Sequence, residues 1–209
     1  IVILTACPVG ITGCTNPAPF TGGSDQEDDA SLRSRILESY QRLPNGANAA
    51  WYEQTAMGHE GVAAARAVGR ARGIGTVDVY IATAAGLPNG TLLAAVQADL
   101  QERREIAVDV QVKAPAEVEM DVSAELAVRE GADFSAVKAA AEQALASFFS
   151  GRRLGGPVLL AELGDLLYHV EGVENYRLLA PAADLAAEDG TLPMLGRVTV
   201  TEMEADDDV

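Results

Sequence analysis

Across residues 117–128 Val118, Met120, Val122, Ala124, Leu126 and Val128 alternate with Glu119, Asp121, Ser123, Glu125 and Ala127. A period of two sends one set to a core and the other to water, so this is the clearest strand in the chain. Residues 76–81 repeat the pattern, with Val77, Val79 and Ile81 on one face and Thr76, Asp78 and Tyr80 on the other. Val108, Val110 and Val112 mark another strand, and residues 176–179 and 198–200 read as closing strands. A weaker strand at 62–68 precedes a glycine-rich hairpin turn at 69–75.

Elsewhere the period lengthens to that of a helix. Leu32, Ile36, Tyr40 and Leu43 place a helix over 30–43, stopped by Pro44-Asn45-Gly46. Ser24 and Glu27 have capping-box spacing, and the acidic run 25–29 complements the positive end of that helix. Asn48 caps a second helix running through Trp51, Tyr52 and Met57 to Gly58. Leu92, Val96 and Leu100 predict a helix over 88–104. Asp133 caps one over 134–149, with Val137, Ala141, Leu145 and Phe148 in register. After the break at Gly155-Gly156-Pro157, Leu159, Leu163, Leu166, Leu167 and Val170 form the last helix.

These elements predict an α+β protein of two small helix-strand modules, 23–114 and 115–201, divided at Pro115. Residues 1–22 form an extended arm or the remnant of an upstream strand-rich domain, and 202–209 an acidic tail. The chain opens on Ile1 rather than Met, in mid-pattern, which points to a preceding portion. Both modules run helix, glycine break, helix, Glu-Gly-Val and strand, at Glu60-Gly61-Val62 and Glu171-Gly172-Val173. Duplication and a chance match of one tripeptide are equally open readings.

A chain of 209 residues can bury a core without metals or staples. Its net charge of -16 repels phosphate backbones and anionic membrane surfaces, so neither nucleic acid nor a membrane is an expected partner. Cys7 and Cys14 have no His-rich or Cys-rich company to complete a metal site and read as free thiols. Any histidine chemistry must use His59 and His169, and a polar residue at a helix end explains both. The turn with Arg70 and Arg72 lacks the spacing of a nucleotide loop, and no nucleophile elbow, HExxH or phosphate-binding Lys is present. Asn89-Gly90-Thr91 fits a glycosylation sequon, with nothing else indicating a secretory route. The alternating carboxylates of 117–128 read as a wet sheet face, and those of 25–29 lack the glycine and bidentate Glu of a calcium loop. No cofactor, metal or catalytic residue is expected.

Several stretches in order carry a resemblance: Thr15-Asn16-Pro17-Ala18, Thr21-Gly22-Gly23-Ser24-Asp25-Gln26-Glu27-Asp28-Asp29 and Leu32-Arg33-Ser34-Arg35-Ile36-Leu37. Gly46-Ala47-Asn48-Ala49-Ala50-Trp51-Tyr52-Glu53-Gln54, Val112-Lys113-Ala114-Pro115, Gly156-Pro157-Val158 and Leu192-Pro193-Met194-Leu195-Gly196 continue it. Together they resemble the baseplate J-like proteins of contractile-tailed bacteriophages, from Thr15 onward. The family's strand-rich N-terminal region is largely missing here, and the acidic tail departs from it.

The resemblance implies a non-enzymatic baseplate wedge component, used in many copies in a ring around the tail hub and coupling host contact to sheath contraction. It implies contacts with copies of itself, a tail protein I-like wedge partner, a lysozyme-fold wedge component and the hub. The implied place is the virion's tail baseplate, assembled in the host bacterial cytoplasm; tailocins and injection systems use the same kind of part. Large apolar groups on short helices, Trp51, Tyr52, Phe148, Phe149, Leu160 and Tyr168, are the expected contact residues, with core packing as the competing reading. The alternative function is a surface-anchored binding module, a lipoprotein or adhesin domain, supported by the lipobox-like Leu4-Thr5-Ala6-Cys7.

Overall fold

The computed structural model describes residues 48–203, together with Asp29, Leu32, Arg33, Ile36, Leu37, Tyr40, Asn45 and Gly46. Residues 1–42 and 43–209 form separate units. In the first, the described positions from Asp29 to Tyr40 are helical and exposed. The arm with Cys7 and Cys14, the Ser24 and Glu27 box, and residues 204–209 lie outside the described residues. Glu202, assigned to the acidic tail by its charge, instead ends a strand opposite Leu126.

Two three-stranded sheets make up the second unit. Helix α1 (Ala49–Met57) starts where the Asn48 side chain accepts the Trp51 N–H, and it leads to β1 (Ala64–Gly69) and β2 (Thr76–Ala82). Helix α2 (Gly90–Arg103) then crosses to β3 (Asp109–Lys113). The sheet order is β1-β2-β3, antiparallel and then parallel. Tyr52 and Ala56 on α1, Val96 and Leu100 on α2, and Val79, Ile81 and Val110 on the strands form its core.

Strand β4 (Ala116–Val128) is followed by α3 (Phe134–Phe148), a 3-10 turn at Gly151–Arg153, α4 (Leu160–Tyr168), β5 (Val173–Ala180) and β6 (Thr191–Glu202). Here the order is β5-β4-β6, with β4 antiparallel to β5 and parallel to β6. Met120, Val122, Ala124 and Leu126 on β4 pack against Val137, Ala141 and Leu145 of α3 and Leu163 and Leu167 of α4. The opposite face of β4 carries the exposed Glu119 and Asp121, as the alternation predicts.

A third apolar cluster joins the two sheets. Ala82 packs with Leu154 and Leu192, and Ala64, Tyr80 and Met194 close around them. Beside it the Gly151 N–H donates to the Ala84 carbonyl at 3.3 Å, and Arg66 Nε reaches Asp189 Oδ1 at 2.7 Å. Gly190 lies under the Tyr80 ring, so close that a Cβ there would stand 2.7 Å from its Cζ.

The repeated Glu-Gly-Val is one turn used twice. The Val62 N–H closes on His59 O, and the Val173 N–H on Val170 O, each at 3.1 Å. Gly61 and Gly172 hold φ of 92° and 91°, a region costly for any side chain. The paths then diverge: β1 folds back onto the following β2, whereas β5 joins the earlier β4.

Side chains hydrogen-bond to both edges of the first sheet. On β3, the Gln97 amide donates to Val110 O at 3.0 Å and accepts the Val112 N–H at 2.7 Å, pairing as an added strand does. On β1, the buried Glu53 carboxylate accepts the Ala67 N–H at 3.1 Å. Exposed strand edges invite pairing with another chain, and these contacts occupy two backbone groups on β3 and one on β1. Gln97→Leu is expected to cost about 1 kcal/mol or more, because two edge bonds go unmade. Chemical denaturation checks the loss, and light scattering checks for edge-driven association.

Candidate assembly site

The six expected contact residues separate by burial. Tyr52 is 1% exposed and donates its O–H to Glu105 Oε2 at 2.9 Å. Burial, joined by that bond to the Glu105 carboxylate, pushes its phenol up to about 12 from 10.0. A raised folded value means that Tyr52 contributes stability below pH 10, which is lost as pH rises toward 12. Alkaline melting of Tyr52→Phe should therefore fall less steeply over that window than wild type.

Phe149 is also buried, at 5% exposure. Tyr52 and Phe149 are therefore core residues, a correction to their expected place on a contact surface. The period of α1 turns Tyr52 and Ala56 inward together, and Phe149 caps α3 beneath the second sheet's core. Trp51 is half-buried and meets the Tyr52 ring edge-on, with centroids 4.8 Å apart. Phe148 is half-buried under the Arg153 guanidinium, 3.6 Å above its ring. Leu160, half-buried at the start of α4, donates its N–H to Asp184 Oδ1 at 2.7 Å. Tyr168 is 53% exposed, at the end of α4.

The histidines are held separately. His59 Nε2 lies 3.0 Å from Asp99 Oδ2, whose other oxygen receives Arg103 Nε at 2.8 Å, tying the end of α1 to α2. His169 caps α4, its Nδ1 2.8 Å from the Asp165 carbonyl. Nor are they equivalent in the turns, since His59 opens its turn and Val170 opens the other. Among the described residues no cluster of metal-ligating side chains occurs, and no helix is long and apolar enough to cross a membrane. Asn89, read as a sequon, caps α2 by accepting the Leu92 N–H at 2.8 Å.

Arg72 turns the 69–75 loop inward. Its Nε reaches Asp78 Oδ1 at 2.6 Å, another guanidinium nitrogen binds Asp109, and Lys113 Nζ holds Asp78 Oδ2 at 2.5 Å. Asp78 itself is 2% exposed. Burial alone raises a carboxyl, but the bonds and charges of Arg72 and Lys113 outweigh it and hold Asp78 below its ordinary range. This ion cluster, like the seam between the sheets, was not legible in local patterning.

Arg70, by contrast, is exposed in the same loop at φ 64°. Ile74 and Ile106 are 95% and 100% exposed. A hollow of about 580 Å³ lies between the Glu60-Gly61 turn, the loop carrying Ala84 and Ala85, and the start of α2 at Leu92 and Ala95.

The chain is similar to known proteins over most of this unit. The baseplate J-like central domain matches residues 44–114, and the baseplate J-like protein C-terminal domain matches residues 120–201. Baseplate protein J of Escherichia phage P2 is 29% identical over 163 residues, covering 76% of this chain and 54% of that protein. Phage-like element PBSX protein XkdT of Bacillus subtilis (strain 168) is 24% identical over 192 residues, covering 86% of this chain and 55% of that protein. The chain thus spans about half the length of these relatives. A chain in the cryo-EM structure of the anti-feeding prophage baseplate shares the fold, with a TM-score of 0.56 at 16% identity over 93% of this chain and 47% of that one. With central and C-terminal domains following one another in a single chain, the protein belongs to the baseplate J-like family.

Proposed function

We propose that this chain is a structural wedge component of a contractile-tail baseplate, present in several copies in a ring around the tail hub and helping to convey host contact to sheath contraction. The two consecutive baseplate J-like domains carry this reading. The naming of the phage P2 relative and the fold shared with a chain of the anti-feeding prophage baseplate support it. Its partners are copies of itself, a tail protein I-like wedge partner, a lysozyme-fold wedge component and the hub. It works by protein contact rather than catalysis, in the virion's tail baseplate after assembly in the bacterial host. Modules 23–114 and 115–201 divide at Pro115 so that each meets different neighbours.

Trp51, Phe148, Leu160 and Tyr168 are the contact residues carried forward. Tyr168→Ala should change unfolding free energy by no more than about 0.5 kcal/mol, as at other exposed positions, while reducing incorporation into particles. Cryo-electron microscopy of the native particle tests the role. Density for this chain around a contractile tail hub supports it; the chain found free or at an envelope removes it.

A further inference from the structure

The β1–β2 hairpin and the α2–β3 loop lie side by side, because the Asp109 N–H donates to Gly75 O at 2.8 Å and a Cβ on Gly75 would stand 3.2 Å from Ala107 O. They bring the fully exposed Ile74 and Ile106 to one end of the first sheet. Water gains nothing by covering two bare isoleucines, and neither packs on the core of its own chain. The hollow lies at the other end. Residues Ala84 and Ala85 follow the last residue of β2, whereas Ile74 just precedes its first. A strand of 7 residues separates the two features by roughly 20 Å.

Charge complements shape. Exposed Arg70 lies in the same hairpin turn as Ile74, and exposed Glu60 lines the hollow; among the described residues neither has an ion-pair partner. Apolar walls from Ala84, Ala85, Leu92 and Ala95 offer aliphatic side chains a place out of water. We infer that Ile74 and Ile106 of one copy seat in the hollow of the next copy, with Arg70 beside the neighbour's Glu60. Because knob and hollow occupy opposite ends of one sheet, the contact is head-to-tail, the kind that closes a ring when its rotation permits. The inference rests on the reading above that copies meet one another, and it supplies the surfaces.

Sedimentation velocity of the full chain over rising concentration tests it. Wild type should form a series extending beyond dimer. A knob variant, Ile74→Asp with Ile106→Asp, and a hollow variant, Ala95→Trp, should each associate about thirtyfold more weakly or less, as at a contact hot spot. Mixed together, they should form one-to-one pairs that do not extend, since each retains one working surface. Arg70→Glu should weaken association, and Glu60→Arg on the partner should restore it. Thermal melting monitors folding, with Ala85→Arg replacing the hollow variant if Ala95→Trp unfolds. A wild type that remains monomeric, or closes as a dimer only, overturns the contact; so do variants that associate as wild type does, or a mixture that fails to pair. The proposed wedge role is judged separately by particle location, so either reading can fail alone.

Discussion

Gly151→Ala is expected to cost about 3 kcal/mol or more, at the severe end of overpacking changes. A Cβ at this position would clash with the Thr83 carbonyl oxygen and stand 2.9 Å from its carbon and 3.3 Å from the Ala82 Cβ. The nearest two atoms are backbone, so no rotamer change relieves the clash. The sheets must part, which loosens the Gly151 bond to Ala84 and opens the packing of Ala82 against Leu154 and Leu192. For a chain of this size that loss corresponds to a fall in melting temperature of about 6–12 °C. Gly90→Ala is the control, because nothing lies within 4 Å of its added Cβ. Denaturant titration of both variants decides the matter: a Gly151→Ala protein as stable as the control would mean that the sheets do not meet in this way.

Asp78→Asn should cost about 2 kcal/mol at neutral pH. Removing one partner of a buried ion pair can cost more, but Arg72 and Lys113 remain 25% and 35% exposed and can rehydrate. The effect must also depend on pH. A folded carboxyl held below its ordinary value stabilises the protein above the unfolded pKa near 3.8, and that contribution is lost as pH falls through the folded value. Wild type should therefore begin to lose its advantage over Asp78→Asn as pH falls below 3.8, and lose the rest once Asp78 is protonated in the folded state and no longer differs in charge from the amide. Urea titrations of both proteins at neutral pH and near pH 3 measure this; a constant difference would assign the loss to shape rather than charge.

Elements set by near neighbours were readable from sequence. Strict alternation marked β4, and Asn48 and Asp133 proved to be caps because capping depends on a side chain meeting an amide three residues on. Asn89 has the same arrangement, although its sequon spacing drew attention elsewhere. What depended on distant partners was hidden. Asp78 alternates with valines as a wet residue would, yet Lys113, 35 positions away, helps bury it. Tyr52 and Trp51 are adjacent aromatics, and choosing the inward one required knowing where α1 meets Glu105. Strand β1 was weak because Ala64, Ala65 and Ala67 supply little contrast between faces. For the contact surface, aromatic content was a poor guide: burial removed Tyr52 and Phe149, while Ile74 and Ile106 are exposed in loops where no periodicity marks them.

The seam around Gly151 also has a mechanical consequence. Contacts made through long side chains can absorb a small displacement by changing rotamer, but a glycine pressed against a carbonyl has no such slack. Pressing the first sheet toward the second loads Gly151 against the Thr83 carbonyl and Gly190 against the Tyr80 ring, where the glycine backbone has little room to yield. The central and C-terminal domains should accordingly turn together as one stiff lever, with compliance left to the surfaces where this lever meets other proteins.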